Sequence, residues 1–371
     1  MAVHSVVHRD IHAYSAHPHM VRVADGALIV VFNKAPRRNI VLHPPEEPMY
    51  QNMITRSIDD GESWSVPEPV PDYNWTGTEC AGLTALNDGK ILLNQWQFNW
   101  LPEGRAKSLP FTSGYIDAAG LLSRWSASSE HDTAGVDLAA MQRCLPWRRG
   151  PGRCILHIST DYGHSFGGTV TIGTAPFSGG YGMRGGVELR DGRILLPLSD
   201  VPQYRSVFVV ESQDGGQSWG QPKLVASEAG HEFEEPAIIQ GQGDRIILVL
   251  RDNATRRLHQ CISEDCGRHW AAPKPMPVTG YPAHLLRLAD TRLLLTYGWR
   301  QPGYGIRAVL SDDDGESWNA NRTILIREGM RNGNLGYPVT LDRQDGSLLT
   351  VYYGEEDDGV TSILATRWEV D

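Results

Sequence analysis

The stretch Ser57-Ile58-Asp59-Asp60-Gly61-Glu62-Ser63-Trp64 is the most informative part of the sequence, because its pattern returns four more times along the chain. The further copies begin at residues 159, 212, 263 and 311. All follow the pattern Ser-x-Asp-x-Gly-x-Ser-Trp, with Phe166 at the last place of the second copy and His269 at the seventh place of the fourth. Asp and Gly favour turns, and a terminal aromatic ring favours burial. Each copy therefore predicts a hairpin turn that its aromatic residue fixes to a core.

The spacing of the copies predicts a repeat protein. The last four copies begin 53, 51 and 48 residues apart, which places one turn in each repeat of about fifty residues. The first two copies begin 102 residues apart, from 57 to 159. This wider gap predicts that one copy has been lost or interrupted there.

A second pattern occurs six times and predicts the strands. A polar residue, often followed by Pro, precedes an alternating apolar strand, a turn near Asp-Gly and a strongly apolar strand. The six segments are 18–32, 81–96, 185–198, 236–250, 282–297 and 338–353. Strands near residues 3–7 and 360–370 are predicted to pair and close the ring, which leaves no free sheet edge. Residues 98–152 are predicted to be one long irregular insertion in the second blade.

The repeated octapeptide resembles the Asp box of the sialidase (neuraminidase) superfamily. The resemblance implies an all-β fold, a six-bladed β-propeller with four antiparallel strands per blade and five Asp boxes, in which residues 1–371 form a single domain. It also implies that the boxes lie on the outer rim, away from the active site. They therefore indicate the fold and say nothing about the chemistry.

Composition limits the classes of partner. A formal charge of −10 and a pI near 5.7 argue against nucleic acid or an anionic membrane. The five cysteines show no Cys-x-x-Cys pattern, which predicts free thiols. The first residues contain no apolar signal-peptide core, and the chain has no run of eighteen apolar residues. We expect a cytoplasmic protein.

Ionisable or polar side chains stand just before the first strand of every predicted blade. The starts of the innermost strands surround the axial mouth of a propeller, so these side chains are predicted to converge on one site. They are His17 and His19, Glu79, Arg184, Glu234 and Glu235, Tyr281, and Tyr337, with His284 across the ring.

The order of three of these residues resembles the catalytic segments of the family. Glu235-Pro236 is followed by Arg251, and Tyr337-Pro338 begins the sixth blade. The resemblance implies that Tyr337 is the nucleophile and that Glu235 is the base that activates it. A phenol with a pKa of about 10 needs such a base at neutral pH. A neutral nucleophile also avoids repulsion by a substrate carboxylate.

The family holds the substrate carboxylate with three arginines, whose planar guanidinium groups bind it in bidentate fashion. Arg251 matches the second arginine. Two residues compete for the third place, because the spacing favours Arg307 and the strand geometry favours Arg300. Ala16 stands where the first is expected.

The acid/base aspartate of the family is also absent from its expected place. Glu46 and Glu47 precede the first box and offer one replacement. The alternatives are Glu79 and the histidines His17 and His19, because His transfers protons readily near neutral pH.

Three functions remain open on the sequence. The first is a sialidase-like exo-glycoside hydrolase that removes a terminal acidic sugar with Tyr337 and Glu235. The second is another glycan hydrolase or a uronate lyase that uses His17 or His19 with Tyr337, and the third is a carbohydrate-binding propeller without catalysis. The predicted partner is an oligosaccharide or glycoconjugate. No cofactor and no metal site are predicted, because the histidines show no i,i+4 pairing and no Cys partner.

Overall fold

The alternating apolar segments pair as antiparallel hairpins in the computed structural model, which describes residues 2–38, 47, 49–70, 76–78, 80–102, 137, 147–201 and 203–370. The described strands form six sheets, each built mainly from strands that follow one another along the chain. The predicted six-bladed β-propeller is confirmed. A short 3₁₀-helix, Ala320–Arg322, is the helical element of this described part of the chain.

The blades are numbered in chain order and consist of the following strands. Blade 1 contains β2 (Ala13–Arg22), β3 (Leu28–Pro36), β4 (Gln51–Ser57) and β5 (Glu68–Pro69). Blade 2 contains β6 (Thr76–Thr78), β7 (Gly82–Ala85), β8 (Ile91–Pro102), β9 (Trp147–Ser159) and β10 (Gly167–Ile172). Blade 3 contains β11 (Gly180–Tyr181), β12 (Val187–Glu188), β13 (Ile194–Asp200), β14 (Val207–Ser212) and β15 (Lys223–Ala226).

The second half of the chain repeats the plan. Blade 4 contains β16 (Phe233–Gln240), β17 (Ile246–Asp252), β18 (Arg257–Ser263) and β19 (Lys274–Pro275). Blade 5 contains β20 (Ala283–Arg287), β21 (Leu293–Trp299), β22 (Gly305–Ser311) and β23 (Ile324–Arg327). Blade 6 contains β24 (Leu335–Asp342), β25 (Leu348–Glu355), β26 (Thr361–Trp368) and β1 (Val3–His8), which pairs antiparallel with β26.

The second strand of each blade carries the core, because it is flanked by neighbours on both edges and covered by the adjoining blades. The interior stretches of β3, β13, β17, β21 and β25 are buried almost throughout. Burial of a Leu, Ile or Phe side chain stabilises a fold by roughly 1.5–3 kcal/mol. Repeated in every blade, this burial drives the strands together and leaves polar side chains to the strand ends.

The five Asp boxes share one hydrogen-bonded geometry. In the third box, the hydroxyl of Ser212 accepts the N–H of Gly216 at 2.9 Å and donates to Asp214 Oδ1 at 2.9 Å. Asp214 Oδ1 also accepts the N–H of Ser218 at 2.8 Å. Gly215 and Gly216 both have positive φ, at 70° and 88°, as a tight hairpin turn requires. The motif is therefore a self-contained turn whose polar atoms satisfy one another.

Each box glycine also packs closely against the preceding blade. A Cβ atom at any of the five positions would lie within 3.0 Å of an apolar side chain there, so close approach favours glycine in addition to the positive φ. The pairs are Gly61 with Leu349, Gly163 with Ile29, Gly216 with Leu92, Gly267 with Leu195, and Gly315 with Ile247. The boxes therefore fix each blade to its neighbour around the ring.

The wide gap between the first two boxes has a different cause from the one predicted. These boxes follow β4 and β9, in the neighbouring blades 1 and 2, so no box is missing between them. The extra residues lie between β8 and β9 within blade 2. These two strands extend into the predicted irregular insertion as far as Pro102 and from Trp147. Apart from residue 137, the residues between them lie outside the described part of the chain.

None of the helical residues that the structure describes forms a helix long and apolar enough to cross a membrane. The thiols of Cys80, Cys154, Cys261 and Cys266 are buried and form no disulfide with one another.

The box geometry predicts that its two serines, Ser212 and Ser218, contribute unequally to the free energy of unfolding. Ser212→Ala leaves the N–H of Gly216 buried without its acceptor, so we expect the free energy of unfolding to fall by about 1–3 kcal/mol. Ser218→Ala removes an exposed hydroxyl from the same turn and should cost less than half as much. Denaturant unfolding of both variants and the wild type measures this, and equal losses would contradict the assigned role of Ser212.

Candidate active site

Three residues at the axial mouth share a rare backbone conformation. His17, Glu235 and Tyr337 have φ of 55°, 53° and 52°, and each directly precedes a proline. Each also lies at a register shift between the first two strands of its blade. The left-handed region is unfavourable for residues with large side chains, at roughly 1–3 kcal/mol each. Such repeated strain indicates that the direction of these three side chains matters to the protein.

The three side chains meet. The hydroxyl of Tyr337 donates a short hydrogen bond to Glu235 Oε1, although 102 residues separate them in sequence. The ring of His17 lies edge-on to that of Tyr337, with 4.4 Å between the centroids. All three are buried, with exposures of 4%, 4% and 6% for His17, Glu235 and Tyr337. The site therefore brings a phenol, a carboxylate and an imidazole into contact at a buried position.

Arg251 neutralises the carboxylate of Glu235. Its Nη1 lies 3.0 Å from Glu235 Oε2, and its Nε lies 3.7 Å from Glu234 Oε1. Burial lowers the pKa of Arg251, but the charges of Glu235 and Glu234 outweigh burial and raise that pKa well above its ordinary value. The two oxygens of Glu235 thus have separate partners, with Arg251 on one and Tyr337 on the other.

Burial and the charge of Glu235 keep Tyr337 protonated in the resting protein. Burial is the larger cause and the nearby carboxylate the second, and together they raise the pKa of Tyr337 well above its ordinary value. The positive charges of Arg251 and Arg300 oppose this rise. The resting nucleophile candidate is therefore a neutral phenol aimed at a base.

Arg300 and Tyr281 complete the pocket wall on the side of blade 5. Arg300 Nε donates to the carbonyl of Leu335 at 2.9 Å, and its Nη2 lies 3.5 Å from the hydroxyl of Tyr353. Its guanidinium carbon is 5.9 Å from the ring centre of Tyr337. The ring of Tyr281 lies 4.2 Å from the guanidinium carbon of Arg251 and 5.5 Å from that of Arg300. An aromatic face thus lies close to both cations.

A chain of buried amides fixes the orientation of His17. His17 Nδ1 lies 3.1 Å from Asn33 Oδ1, and Asn33 Nδ2 donates to Asn52 Oδ1 at 2.7 Å. Asn52 Nδ2 donates to Gln95 Oε1 at 2.9 Å, and Gln95 Nε2 lies 3.0 Å from His157 Nε2. Because every amide accepts on one side and donates on the other, the chain places a proton on His17 Nδ1.

Arg184 joins blades 1 and 6, which carry two of the three strained residues. Its Nη2 donates to the carbonyl of Pro338 at 2.9 Å, and its Nη1 lies 3.4 Å from the carbonyl of Pro18. The side chain is 3% exposed, and burial lowers its pKa to about 10, although the charge of Glu235 opposes this. The backbone of Arg184 packs so closely on Gly82 that a Cβ there would overlap its carbonyl. Arg184 therefore links the backbone segments that follow Tyr337 and His17.

His19 and His284 form a second group beside Arg184. His19 is buried, its Nδ1 accepts the N–H of Leu83 at 2.9 Å, and its ring centre is 6.4 Å from that of His284. Burial, followed by the charge of Arg184, lowers the pKa of His19 well below 6.5. The same causes lower the pKa of the half-buried His284 to about 3. Both are neutral at pH 7, which makes them poor proton donors.

The remaining predicted residues lie elsewhere or outside the described residues. Arg307 packs over the ring of Trp299, with 3.9 Å from its guanidinium carbon to the ring centre, so the geometry of the mouth favours Arg300 for the third arginine. Glu47 binds Arg38 and the N–H of Met49. Glu79 and Glu46 lie outside the described residues.

Sequence reasoning missed two contributors. Tyr353 is buried with its ring 5.1 Å from that of His17 and 5.8 Å from that of Tyr337. Asn33 determines the proton position of His17. Tyr353 lies opposite Gly336 in the β24–β25 ladder. The pairing of these two strands could therefore have predicted that Tyr353 lies beside Tyr337.

Comparison with known proteins agrees with this architecture. Residues 141–362 match the family described as BNR repeat-like domain. A sialidase from Bacteroides fragilis is 20% identical over 306 residues, which cover 76% of this chain and 50% of that relative, so the chain spans about half its length.

Two solved structures share the fold. A protein of unknown function from Dyadobacter fermentans superposes with a TM-score of 0.83 at 22% identity, covering 99% of this chain and 98% of that one. An intramolecular trans-sialidase from Ruminococcus gnavus superposes with a TM-score of 0.70 at 13% identity, covering 99% and 97%.

The neutral axial histidines predict a loss of stability in acid. The pKa of His284 rises from about 3 in the folded chain towards its ordinary 6.5 on unfolding, so its contribution to stability is present above pH 6.5 and is lost as the pH falls towards 3. We expect His284→Gln to reduce the drop in unfolding free energy between pH 7 and pH 4 by about 1–3 kcal/mol.

Thermal unfolding at the two pH values measures this change. Exposed His12 supplies the control, because His12→Gln should show the same acid-induced drop as the wild type. A drop in His284→Gln as large as that of the wild type would show that His284 does not stay neutral in the folded protein.

Proposed function

The chain belongs to the BNR repeat-like domain family, and on that basis we propose that it is an exo-acting glycoside hydrolase that releases a terminal acidic sugar. The sialidase-like propeller supports a glycosidase-type function in the broad sense. One observation carries the finer proposal: the buried hydroxyl of Tyr337 donates to Glu235, whose other oxygen is held by Arg251. That contact is the arrangement that converts a phenol into a nucleophile.

In the first step, Tyr337 Oη attacks the anomeric carbon while its proton passes to Glu235 Oε1. The bond between the anomeric carbon and the leaving oxygen breaks, and that oxygen takes a proton from His17. In the second step, water attacks the same carbon and gives a proton to His17, which restores the donor, while Tyr337 leaves that carbon and recovers its own proton from Glu235. Two displacements at one carbon retain its configuration.

Arg251 sets the balance of this proton transfer. Its guanidinium places a positive charge 3.0 Å from the carboxylate that accepts the phenolic proton. Because Arg251 and Tyr337 bind different oxygens, Glu235 can accept the phenolic proton without breaking its ion pair. Arg251 also stabilises any negative charge that develops on Tyr337 Oη during attack.

His17 is the proton donor that the geometry favours among the alternatives. Its ring touches that of Tyr337, whereas Nδ1 of His19 is engaged by the backbone of Leu83 and lies beside the charge of Arg184. The amide acceptor Asn33 Oδ1 stabilises the protonated ring as well as the neutral one. His17 therefore replaces the aspartate that the sequence lacks.

The positions of Arg251 and Arg300 support a substrate that carries a carboxylate. Their guanidinium groups flank the face of Tyr281 at the pocket wall, close to the ring of Tyr337. Two cations beside the attacked carbon favour a sugar that carries a carboxylate there. Because Ala16 stands where the first arginine is expected, we expect this site to bind the carboxylate more weakly, by about 1.5–3 kcal/mol, than a site with three arginines.

The contact between His17 and Tyr337 also suits a second reaction. An imidazole base and a phenol acid in one pocket can remove the proton next to a uronate carboxylate and protonate the leaving oxygen, which gives elimination instead of hydrolysis. An unsaturated product that absorbs in the ultraviolet would distinguish this lyase from the hydrolase.

The first test is the nucleophile. Purified wild type should release the fluorophore from a fluorogenic sialoside or from the matching uronide. Glu235→Gln should lower kcat by about 10²–10⁴-fold, because the proton acceptor is lost. Tyr337→Phe should lower it at least as much.

Tyr352→Phe is the matched control for Tyr337→Phe. Tyr352 is a buried tyrosine in the same blade whose hydroxyl bonds to Thr366, away from the pocket. Its loss should leave kcat within about threefold of the wild type while reducing stability by a comparable hydrogen-bond energy. A fully active Tyr337→Phe would exclude the nucleophile, and a folded wild type inactive on both sugars would exclude the hydrolase.

The second test separates the proton donor from a structural residue. His17→Gln should lose activity steeply with poor leaving groups and much less with an aryl leaving group of low pKa, because the latter departs without a proton. We expect at least a tenfold difference between the two losses. The same loss with both leaving groups would show that His17 only shapes the pocket.

A further inference from the structure

Three side chains of blade 4 with atoms that bind metals lie together beside the candidate active site. They are His231, which precedes β16, Asp252 at the end of β17, and His259 in β18. Their potential ligand atoms all lie within 4.8 Å of one another. The proposed hydrolysis uses none of them.

One nitrogen of this cluster has no partner. His259 is 3% exposed, and its Nδ1 is buried without a hydrogen bond while lying 3.9 Å from Asp252 Oδ2. A buried polar atom left unsatisfied costs about 1–3 kcal/mol. Native proteins seldom keep such an atom unless a ligand or ion satisfies it. The unpartnered nitrogen therefore points to a missing group between itself and the carboxylate.

The distances suit a tetrahedral ion after small movements. Zn²⁺ binds His nitrogen and carboxylate oxygen at about 2.0–2.2 Å, which places neighbouring ligands of a tetrahedron roughly 3.3 Å apart. His231 Nδ1 lies 2.7 Å from Asp252 Oδ2, and His259 Nδ1 lies 3.9 Å from it. Each separation differs from the tetrahedral value by about 0.6 Å, within reach of side-chain rotation.

Hydrogen bonds from neighbouring groups fix the orientation of the Asp252 carboxylate. Asp252 Oδ1 accepts the N–H groups of Glu232 at 2.9 Å and Ala254 at 3.1 Å, and Oδ2 accepts the hydroxyl of Thr255 at 2.6 Å. Hydrogen bonds of this kind hold ligating carboxylates in position. The side chain of His231 is 25% exposed, which gives an ion an entrance from solvent.

We propose that His231, Asp252 and His259 bind a divalent transition-metal ion of the Zn²⁺ type. Two imidazoles and one carboxylate favour Zn²⁺, Co²⁺ or Ni²⁺ over Ca²⁺ and Mg²⁺, which take oxygen ligands. Binding replaces the hydrogen bond between His231 and Asp252, and the proton of a neutral His231 ring then lies on Nε2. Three protein ligands leave a fourth position for water.

The ion would stabilise the part of blade 4 that carries the active-site charges. Asp252 directly follows Arg251, and the ring of His231 stacks on that of Phe233, which directly precedes Glu234. A bond network through the metal joins these two strand ends to β18. The site therefore supports the positions of Arg251 and Glu235 without touching the substrate.

Titration of chelator-treated protein with Zn²⁺ alone tests the site. Isothermal calorimetry of the wild type should show one equivalent bound per chain, and the ion should raise the thermal unfolding midpoint. His259→Phe keeps the ring volume and should weaken Zn²⁺ affinity at least tenfold, as should His231→Gln. With Co²⁺ in place of Zn²⁺, the intense visible absorption of a four-coordinate ion should appear in the wild type and vanish in both variants.

His269→Gln is the matched control. Its Nδ1 pairs with Asp265 Oδ2 at 2.6 Å, like His231 with Asp252, but this exposed pair belongs to an Asp box. Its removal should leave Zn²⁺ affinity unchanged. The proposal is overturned if the wild type binds no stoichiometric ion, if both His231→Gln and His259→Phe bind as tightly as the wild type, or if His269→Gln removes the binding. Because His231 is partly exposed, its variant keeps the test valid even if His259→Phe does not fold.

Discussion

The mouth of this propeller depends on a left-handed residue directly before a proline, repeated in blades 1, 4 and 6. An ordinary strand would send His17, Glu235 and Tyr337 along its pleat, whereas the bulge turns each of them towards the axis. Neighbouring groups stabilise the strained backbone. Ser199 accepts the N–H of Glu235 at 2.9 Å, and Arg184 binds the carbonyl of Pro338. The proline that follows has a fixed φ and no N–H group. It therefore prevents regular strand pairing at this position.

The side chains that this backbone brings together have separate roles. Glu235 gives one oxygen to Arg251 and one to Tyr337, so charge neutralisation and proton acceptance occur on the same carboxylate without competition. His17 is oriented independently, through Asn33 and the amides behind it. Since the amide chain runs from blade 1 into blade 2, the direction of one imidazole depends on the packing between two blades.

Stability and chemistry occupy opposite parts of each blade. The Asp boxes satisfy their own polar atoms, and the glycine of each box packs against the neighbouring blade. The boxes therefore stabilise the ring without using the residues at the axial mouth. This separation explains how the boxes can remain nearly regular while Ala16 replaces an expected arginine and no aspartate stands where the resemblance placed one.

The sequence by itself determined the blade repeat, the hairpins and the box turns, because those depend on contacts within a few residues or on alternation along one strand. It also identified Tyr337, Glu235 and Arg251 as candidates from their order. Only the tertiary structure placed Arg300 beside Tyr337 and Arg307 over Trp299, brought Tyr353 and Asn33 next to His17, and assembled His231, Asp252 and His259 from three separate segments. Residues 102 apart, such as Glu235 and Tyr337, meet only when the ring closes, and no local pattern encodes how neighbouring blades are turned towards each other.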